Sequence, residues 1–260
     1  MGYYFNFWRL SMMYKKISAL LFFIFAFASC AFGASALDKD TLIAGTESTY
    51  PPYESRNAKG ELEGFDIELA ETIAAKLGKK LQWIDMPFDS LIPSLMSGKI
   101  DLVAAGMSAT EERAKRVNFS APYEISFSAF VTGAENPPKN TDEIAGKIVA
   151  VQIGTVQETF ARSLGNVEVK TFQKFDDCVR EVVLGRAAAT LMDIPVAKKF
   201  VEAKDFKGKV VVAFNKQITG ADKAVAMPKK DAALTEAVSK VIEEMNKSGE
   251  LEALRNKWFK

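Results

Sequence analysis

Apolar residues along this chain recur with two periods, and their alternation lays out the fold. Residues 42–45, Leu-Ile-Ala-Gly, read as a short strand ending in Thr46-Glu47-Ser48-Thr49-Tyr50-Pro51-Pro52-Tyr53, a loop fixed by two prolines. Phe65, Leu69, Ile73 and Leu77 recur every four residues, the stripe of a helix closed by Gly78. A strand is predicted over residues 81–84, then a helix capped by Asp89, with Pro93 near its start and Gly98 past its end. The run from Ile100 to Ala105 predicts a buried strand. Beyond it come a turn through Gly106, Met107 and Ser108 and a helix start, with Thr110 as N-cap and Glu111 and Glu112 in the first turn. Strands joined by helical crossovers predict a parallel-sheet lobe.

A second unit starts near Phe127 and repeats this logic. Residues 147–152 predict a strand, Gly154 a turn, and Thr155-Val156-Gln157-Glu158 a capping box opening a helix that stops at Gly165. A strand over 167–171 follows, then a helix marked by Phe175, Val179, Val182 and Val183 and ended by Gly185. Residues 188–192 predict a small-residue strand delivering Asp193 at its carboxyl end, with Pro195 in the first turn of the next helix. The last strand of this unit is expected over 210–214, and residues 224–227 read as a return crossing. Leu234, Val238, Val241, Ile242 and Met245 then define a long amphipathic helix broken by Gly249, and a closing helix carries Leu251, Leu254 and Trp258.

Composition narrows the function classes. The chain has 260 residues, 48% hydrophobic, with a net charge of +1, enough for one large or two modest domains and without the basic excess of a nucleic-acid surface. It has no histidine, which excludes Ser-His-Asp hydrolysis and histidine-ligated zinc, and no phosphate-binding glycine motif. No metal or cofactor is called for. Lys15 and Lys16, an apolar run over 17–27 and small residues after it predict an export signal, with cleavage before Ala34 favoured and acylation of Cys30 the alternative. Translation is expected to begin at Met12 or Met13. Residues 1–36 are thus assigned to signal and upstream extension. Met107 and Cys178 read as core residues.

The candidate chemistry lies just past strand ends, where small ligands bind in open α/β sheets. Thr46 with Glu47, residues 105–108, Thr155 and Asp193 are placed there, two sets in each lobe. Arg113 and Ser108 suit a carboxylate, since an arginine fork grips both oxygens and a hydroxyl satisfies a remaining lone pair. The free N–H groups at the Thr155 helix start add to that anion site. Taken alone, Arg113 reads as part of a solvated run with Glu111, Glu112, Lys115 and Arg116, and Asp193 as a helix N-cap. Taken together, they suit the two ends of a zwitterion.

Thr46-Glu47-Ser48-Thr49-Tyr50-Pro51-Pro52-Tyr53-Glu54, Gly64-Phe65-Asp66-Ile67, Phe88-Asp89-Ser90-Leu91-Ile92-Pro93-Ser94-Leu95, Ala105-Gly106-Met107-Ser108-Ala109-Thr110-Glu111-Glu112-Arg113 and Gly154-Thr155-Val156-Gln157-Glu158-Thr159-Phe160 resemble the family 3 solute-binding proteins of polar amino-acid ABC transporters. The resemblance implies a two-lobed α/β periplasmic binding protein of type II, each lobe a mostly parallel sheet flanked by helices. Lobe 1 would span 37–126 and 221–260 and lobe 2 127–220, with hinge crossings near 123–127 and 218–221. By motif position, Arg113 would hold the α-carboxylate with Ser108 and the Thr155 backbone, and Asp193 the α-ammonium, shared with a carbonyl at Ala105 or Gly106. Tyr50 and Phe88 would wall the ligand side chain beside Glu47. An acid facing two rings favours a cationic side chain, arginine first, then lysine or ornithine. Gln152 and Gln157 would equally serve glutamine or histidine. The implied partners are a free amino acid and an inner-membrane permease, for a periplasmic monomer without catalysis. A dehydratase-like enzyme on the same fold and a sensor domain are the competing classes.

Overall fold

In the computed structural model, residues 35–125, 127–218 and 222–259 are described. The export signal, the cleavage site and the Cys30 alternative fall on residues 1–34, outside the described residues. The folded unit spans Ala36–Lys260. Ala36 is buried and gives its N–H to Asp231 at 2.8 Å.

The first half runs β1 (Thr41–Thr46), β2 (Ser55–Arg56), β3 (Leu62–Glu63), α1 (Phe65–Lys76), β4 (Lys80–Asp85), α2 (Phe88–Ser97), β5 (Leu102–Val103), α3 (Glu111–Ala114) and β6 (Val117–Phe119). After β7 (Glu124–Ile125) come β8 (Ser128–Gly133), β9 (Ile148–Gln152), α4 (Val156–Ser163), β10 (Glu168–Phe172), α5 (Phe175–Val183), β11 (Ala189–Asp193), α6 (Ile194–Glu202) and β12 (Val210–Lys216). The chain returns through β13 (Asp222–Lys223) and β14 (Ala226–Pro228) and ends in α7 (Ala232–Ser248) and α8 (Glu250–Trp258).

Two five-stranded sheets result, ordered β4-β1-β5-β14-β6 and β10-β9-β11-β8-β12. The expected mostly parallel sheets prove to be mixed. β1 pairs in parallel with β4 and β5, and β9 with β10 and β11, whereas β14 and β8 are antiparallel to both their neighbours. The reason is topological: β8 and β14 are the first strands after a crossing between sheets, and they enter from the opposite end. The parallel strands keep their carboxyl ends together, and those ends carry the loops of interest. The two passes between the sheets pair as an antiparallel ribbon, Asp222 with Ile125 and Lys223 with Glu124. Ser126 and residues 219–221, on which the expected crossings partly fall, lie outside the described residues.

The apolar stripes pack as their spacing implies. Phe65, Leu69 and Ile73 of α1 are almost completely buried, as are Leu234, Val238, Ile242 and Met245 of α7. α7 is closed by left-handed Gly249. Cys178 sits in the core, and burial pushes its thiol up to about 12, as suits a small apolar residue. Two local expectations need correction. α2 starts two residues early, so Asp89 lies in its first turn and not at the cap; Pro87, with φ −53° and ψ 140°, takes that place and its carbonyl accepts the Ser90 N–H. Pro93 is then the sixth helical residue, with no N–H to give to the preceding turn.

One contact fixes the Tyr50 loop to the scaffold. The first N–H groups of α1 are donated outward, Phe65 to the Pro52 carbonyl and Asp66 to the Tyr53 carbonyl, both at 2.9 Å. Gly64 permits this approach: its φ is 138°, and a Cβ there would stand 2.2 Å from the Tyr53 oxygen. Gly64→Ala is therefore expected to destabilise the protein by about 2–3 kcal/mol. In a thermal melt that is a fall of roughly 4–12 °C for a domain of this size, and an unchanged midpoint would contradict it.

Candidate functional site

The first half supplies two loops. Beyond β1, Tyr50 and Glu54 close a tight turn by exchanging backbone hydrogen bonds of 3.0 and 3.1 Å. Beyond β5, Gly106 adopts φ 52°, and a Cβ there would press on the Tyr50 ring at 3.1 Å, so this close packing requires glycine. The Gly106 N–H is donated to Asp66 at 2.6 Å, and the same carboxylate oxygen accepts the Tyr123 hydroxyl at 2.7 Å. Thr110 caps α3 by accepting the Arg113 N–H, which orients the arginine back over the turn.

Arg113 leaves its charged neighbours at that point. Glu111, Glu112, Lys115 and Arg116 are exposed, while Arg113 is only 7% exposed. Its guanidinium donates to the Ser108 carbonyl at 2.8 Å and across to the Gly154 carbonyl at 2.9 Å, and it lies 5.3 Å from the Phe88 ring centre. No carboxylate pairs with it among the described residues. Burial, and then Arg116, pull its pKa down to about 10.

The second half brings Gln152, Thr155, Gln157 and Asp193. Thr155 caps α4 by accepting the Glu158 N–H; Glu158 reaches back to the Gly154 N–H rather than that of Thr155, so the capping box is displaced by one residue. Asp193 holds the N-cap position of α6 but makes no side-chain cap bond. Its carboxylate instead accepts the Tyr50 hydroxyl at 2.9 Å and the Gln157 amide at 3.3 Å, and forms an ion pair of 2.6 Å with Lys223. Gln152 donates to Glu47 at 3.0 Å and to the Gln173 carbonyl at 2.9 Å.

These groups, Asp193 apart, surround one small cavity of about 20 Å³ between the two sheets. Glu47, Tyr50, Phe88, Ala105, Gly106, Ser108, Arg113, Gln152, Thr155 and Gln157 all line it. Asp193, the eleventh residue singled out from the sequence, is not on its wall. Four further residues are: Glu54, Val156, Phe175 and Lys223. Phe175 was legible only as a core residue of α5, and its ring centre also lies 4.6 Å from that of Tyr50, with the planes tilted by 32°. Lys223 had a faint signal, a lysine heading the small-residue run 224–227, and Glu54 had none beyond its place in the Tyr50 motif.

The acids of the wall are poised against ionisation. Burial holds the Glu47 carboxyl above its usual range although Gln152 and Thr49 oppose it. Burial, reinforced by Asp66 and Glu47, pushes Glu54 well up. Among the described residues the wall thus has one buried cation without an anion, Arg113, and carboxyls whose charged forms are disfavoured.

The model of the bacterial extracellular solute-binding proteins, family 3, matches residues 42–260. The chain belongs to that family. This family 3 protein is 33% identical over 241 residues to the arginine-binding extracellular protein ArtP of Bacillus subtilis, covering 90% of this chain and 93% of the relative. It is 31% identical over 253 residues to the histidine-binding periplasmic protein of Salmonella typhimurium, covering 94% and 97%. Among solved structures, an ancestral arginine-binding protein bound to arginine superposes with a TM-score of 0.81 at 38% identity, covering 85% of this chain and 99% of the other.

Asp66, which props Gly106 beneath the cavity, generates a pH prediction. Its pKa is raised to about 6, chiefly by burial. The folded form therefore holds this proton to higher pH than the unfolded chain, and stability falls as pH rises from about 4 to about 6, by about 3 kcal/mol from this group. Asp66→Asn, whose amide oxygen can accept both bonds, should flatten that part of the profile. Denaturant unfolding at pH 4 and 6.5 checks it: wild type should lose stability relative to the variant, and parallel profiles would refute the assignment.

Proposed function

We propose that this protein captures a free amino acid with a cationic side chain, arginine first and then lysine or ornithine, and hands it to an ABC-transporter permease in the inner membrane without altering it. The observation that carries this reading is Arg113, a buried guanidinium in a cavity wall with no carboxylate of its own. A ligand carboxylate supplies the missing anion, helped by Ser108 and the Thr155 end of α4. Tyr50, Phe88 and Phe175 offer flat faces to the ligand side chain, and Glu47 an acid for its cation. Gln152 and Gln157 are engaged with Glu47, Ser128 and Asp193, which weighs against glutamine or histidine as the first choice.

In this reading lobe 1 (37–126 and 221–260) and lobe 2 (127–220) act as jaws. Glu47 to Gln152, Tyr50 to Asp193 and Arg113 to Gly154 already bridge the two sheets. A ligand touching both halves adds contacts that exist only when they are together, and so shifts the population towards the closed form. Micromolar affinity corresponds to about 8 kcal/mol, within reach of two desolvated charge pairs. The protein works as a monomer in the periplasm, released by signal cleavage, with Cys30 as the alternative lipid anchor.

Two experiments test this. A thermal-shift screen of ligand-stripped protein against the twenty amino acids and ornithine should give its largest rise with arginine, and no rise with any of them would overturn the reading. Arg113→Met should leave the empty protein at least as stable, because an unpaired buried charge is removed. Calorimetry should show arginine binding weakened by about 3–5 kcal/mol, and wild-type affinity in the variant would refute the role. Turnover of a prephenate-like substrate in the same assays would favour the dehydratase class instead.

A further inference from the structure

We propose that Glu54 receives the ligand's α-ammonium, because Lys223 occupies the carboxylate of Asp193 that would otherwise do so. The inference rests on the amino-acid reading of the cavity and refines it.

The charges have to be matched in place. The Lys223 ammonium lies 2.6 Å from Asp193 and 3.2 Å from the Ser108 hydroxyl, and the side chains of both Lys223 and Asp193 are 3% exposed. Asp193 also accepts from Tyr50 and Gln157, so both of its oxygens are already engaged. A second ammonium on that carboxylate would bring two like charges together in a site shielded from water, where their repulsion is weakly screened. With Lys223 and Asp193 neutralising each other, the cavity wall keeps one cation, Arg113, and two carboxyls, Glu47 and Glu54. Its complement is a ligand with one carboxylate and two cationic groups.

Position assigns the two acids. Glu47 is already bonded to Gln152 and Thr49, on the side facing the β9 end. Glu54 is 1% exposed, and its Oε2 makes no hydrogen bond among the described residues. Its Oε1 would stand 3.7 Å from a Cβ on Gly106, so it faces the same turn whose backbone carbonyls would share an ammonium.

The charged groups acting on Glu54 are Asp66 from α1, Glu47 after β1, Asp193 at the end of β11 and Lys223 from β13, of which only the lysine favours ionisation. Burial and the three acids thus favour its protonated form. An arriving ammonium, already carrying its own proton, stabilises the carboxylate, and the Glu54 proton leaves to solvent. Binding thus forms one ion pair and releases up to one proton.

The test is calorimetry of arginine binding at pH 6.5 in buffers of different ionisation heat, using the ligand-stripped full chain. Wild type should bind and release a proton. Glu54→Gln should melt within a few degrees of wild type when empty, bind arginine at least a hundredfold more weakly, and release correspondingly less proton. Adding Lys223→Met should return Asp193 to the ligand and recover at least tenfold of that loss. Glu54→Gln binding within threefold of wild type, or a deficit that Lys223→Met does not lessen, overturns the assignment while leaving the amino-acid reading intact. Wild-type binding with no proton released, which needs no variant, also overturns it. Absence of wild-type binding to any amino acid removes the reading of the site and this inference with it.

Discussion

A buried charge without a counter-ion is the constraint on which this cavity turns. Taking a guanidinium out of water is costly, and carbonyl oxygens of Ser108 and Gly154 compensate only in part. The scaffold around Arg113 exists to hold that imbalance: the Thr110 cap aims the side chain inward, Phe88 covers it, and α4 opposes it from the other sheet. Under the proposed reading, a matching ion held between the halves removes that imbalance and ties the arginine's burial to ligand capture.

The acids obey the same logic with opposite sign. Glu47, Glu54 and Asp66 are all raised by burial, and the charges of Asp66 and Glu47 raise Glu54 further. A protein can tolerate such a cluster only by leaving protons on it or by admitting cations. Among the described residues Lys223 is the one lysine buried there, and it is tied to Asp193. The pattern of matched and unmatched charges, more than the shape of the cavity, therefore describes its complement.

Legibility from the sequence followed the physics of each signal. The helices announced themselves because Phe65, Leu69 and Ile73 must share one buried face, and the strand ends because Gly106, Gly154 and Asp193 interrupt apolar runs. Arg113 was recoverable only jointly, since its neighbours 111–116 look like a solvated surface and its own descent into the interior depends on a cap and a partner loop. Three things were out of reach. Strand direction at β8 and β14 is set by where the chain re-enters, which no local pattern encodes. The turn at Pro87 moved a helix start by two residues, within the reach of a backbone carbonyl acting as cap. Lys223 and Glu54 meet the cavity through pairings 30 or more residues from the motifs that frame it, or from a position with no periodicity to mark its burial, and long-range ion pairs leave no trace in spacing.

The strand order of the first sheet has a consequence for how the molecule is made. β14 lies between β5 and β6, yet it is encoded after the whole second half. As the polypeptide emerges from its amino end, β5 and β6 have no strand to join them, while residues 128–216 hold every strand of their own sheet and can complete it unaided. The last arrival therefore fits into an open slot of an unfinished sheet, and the half begun first is the half finished last.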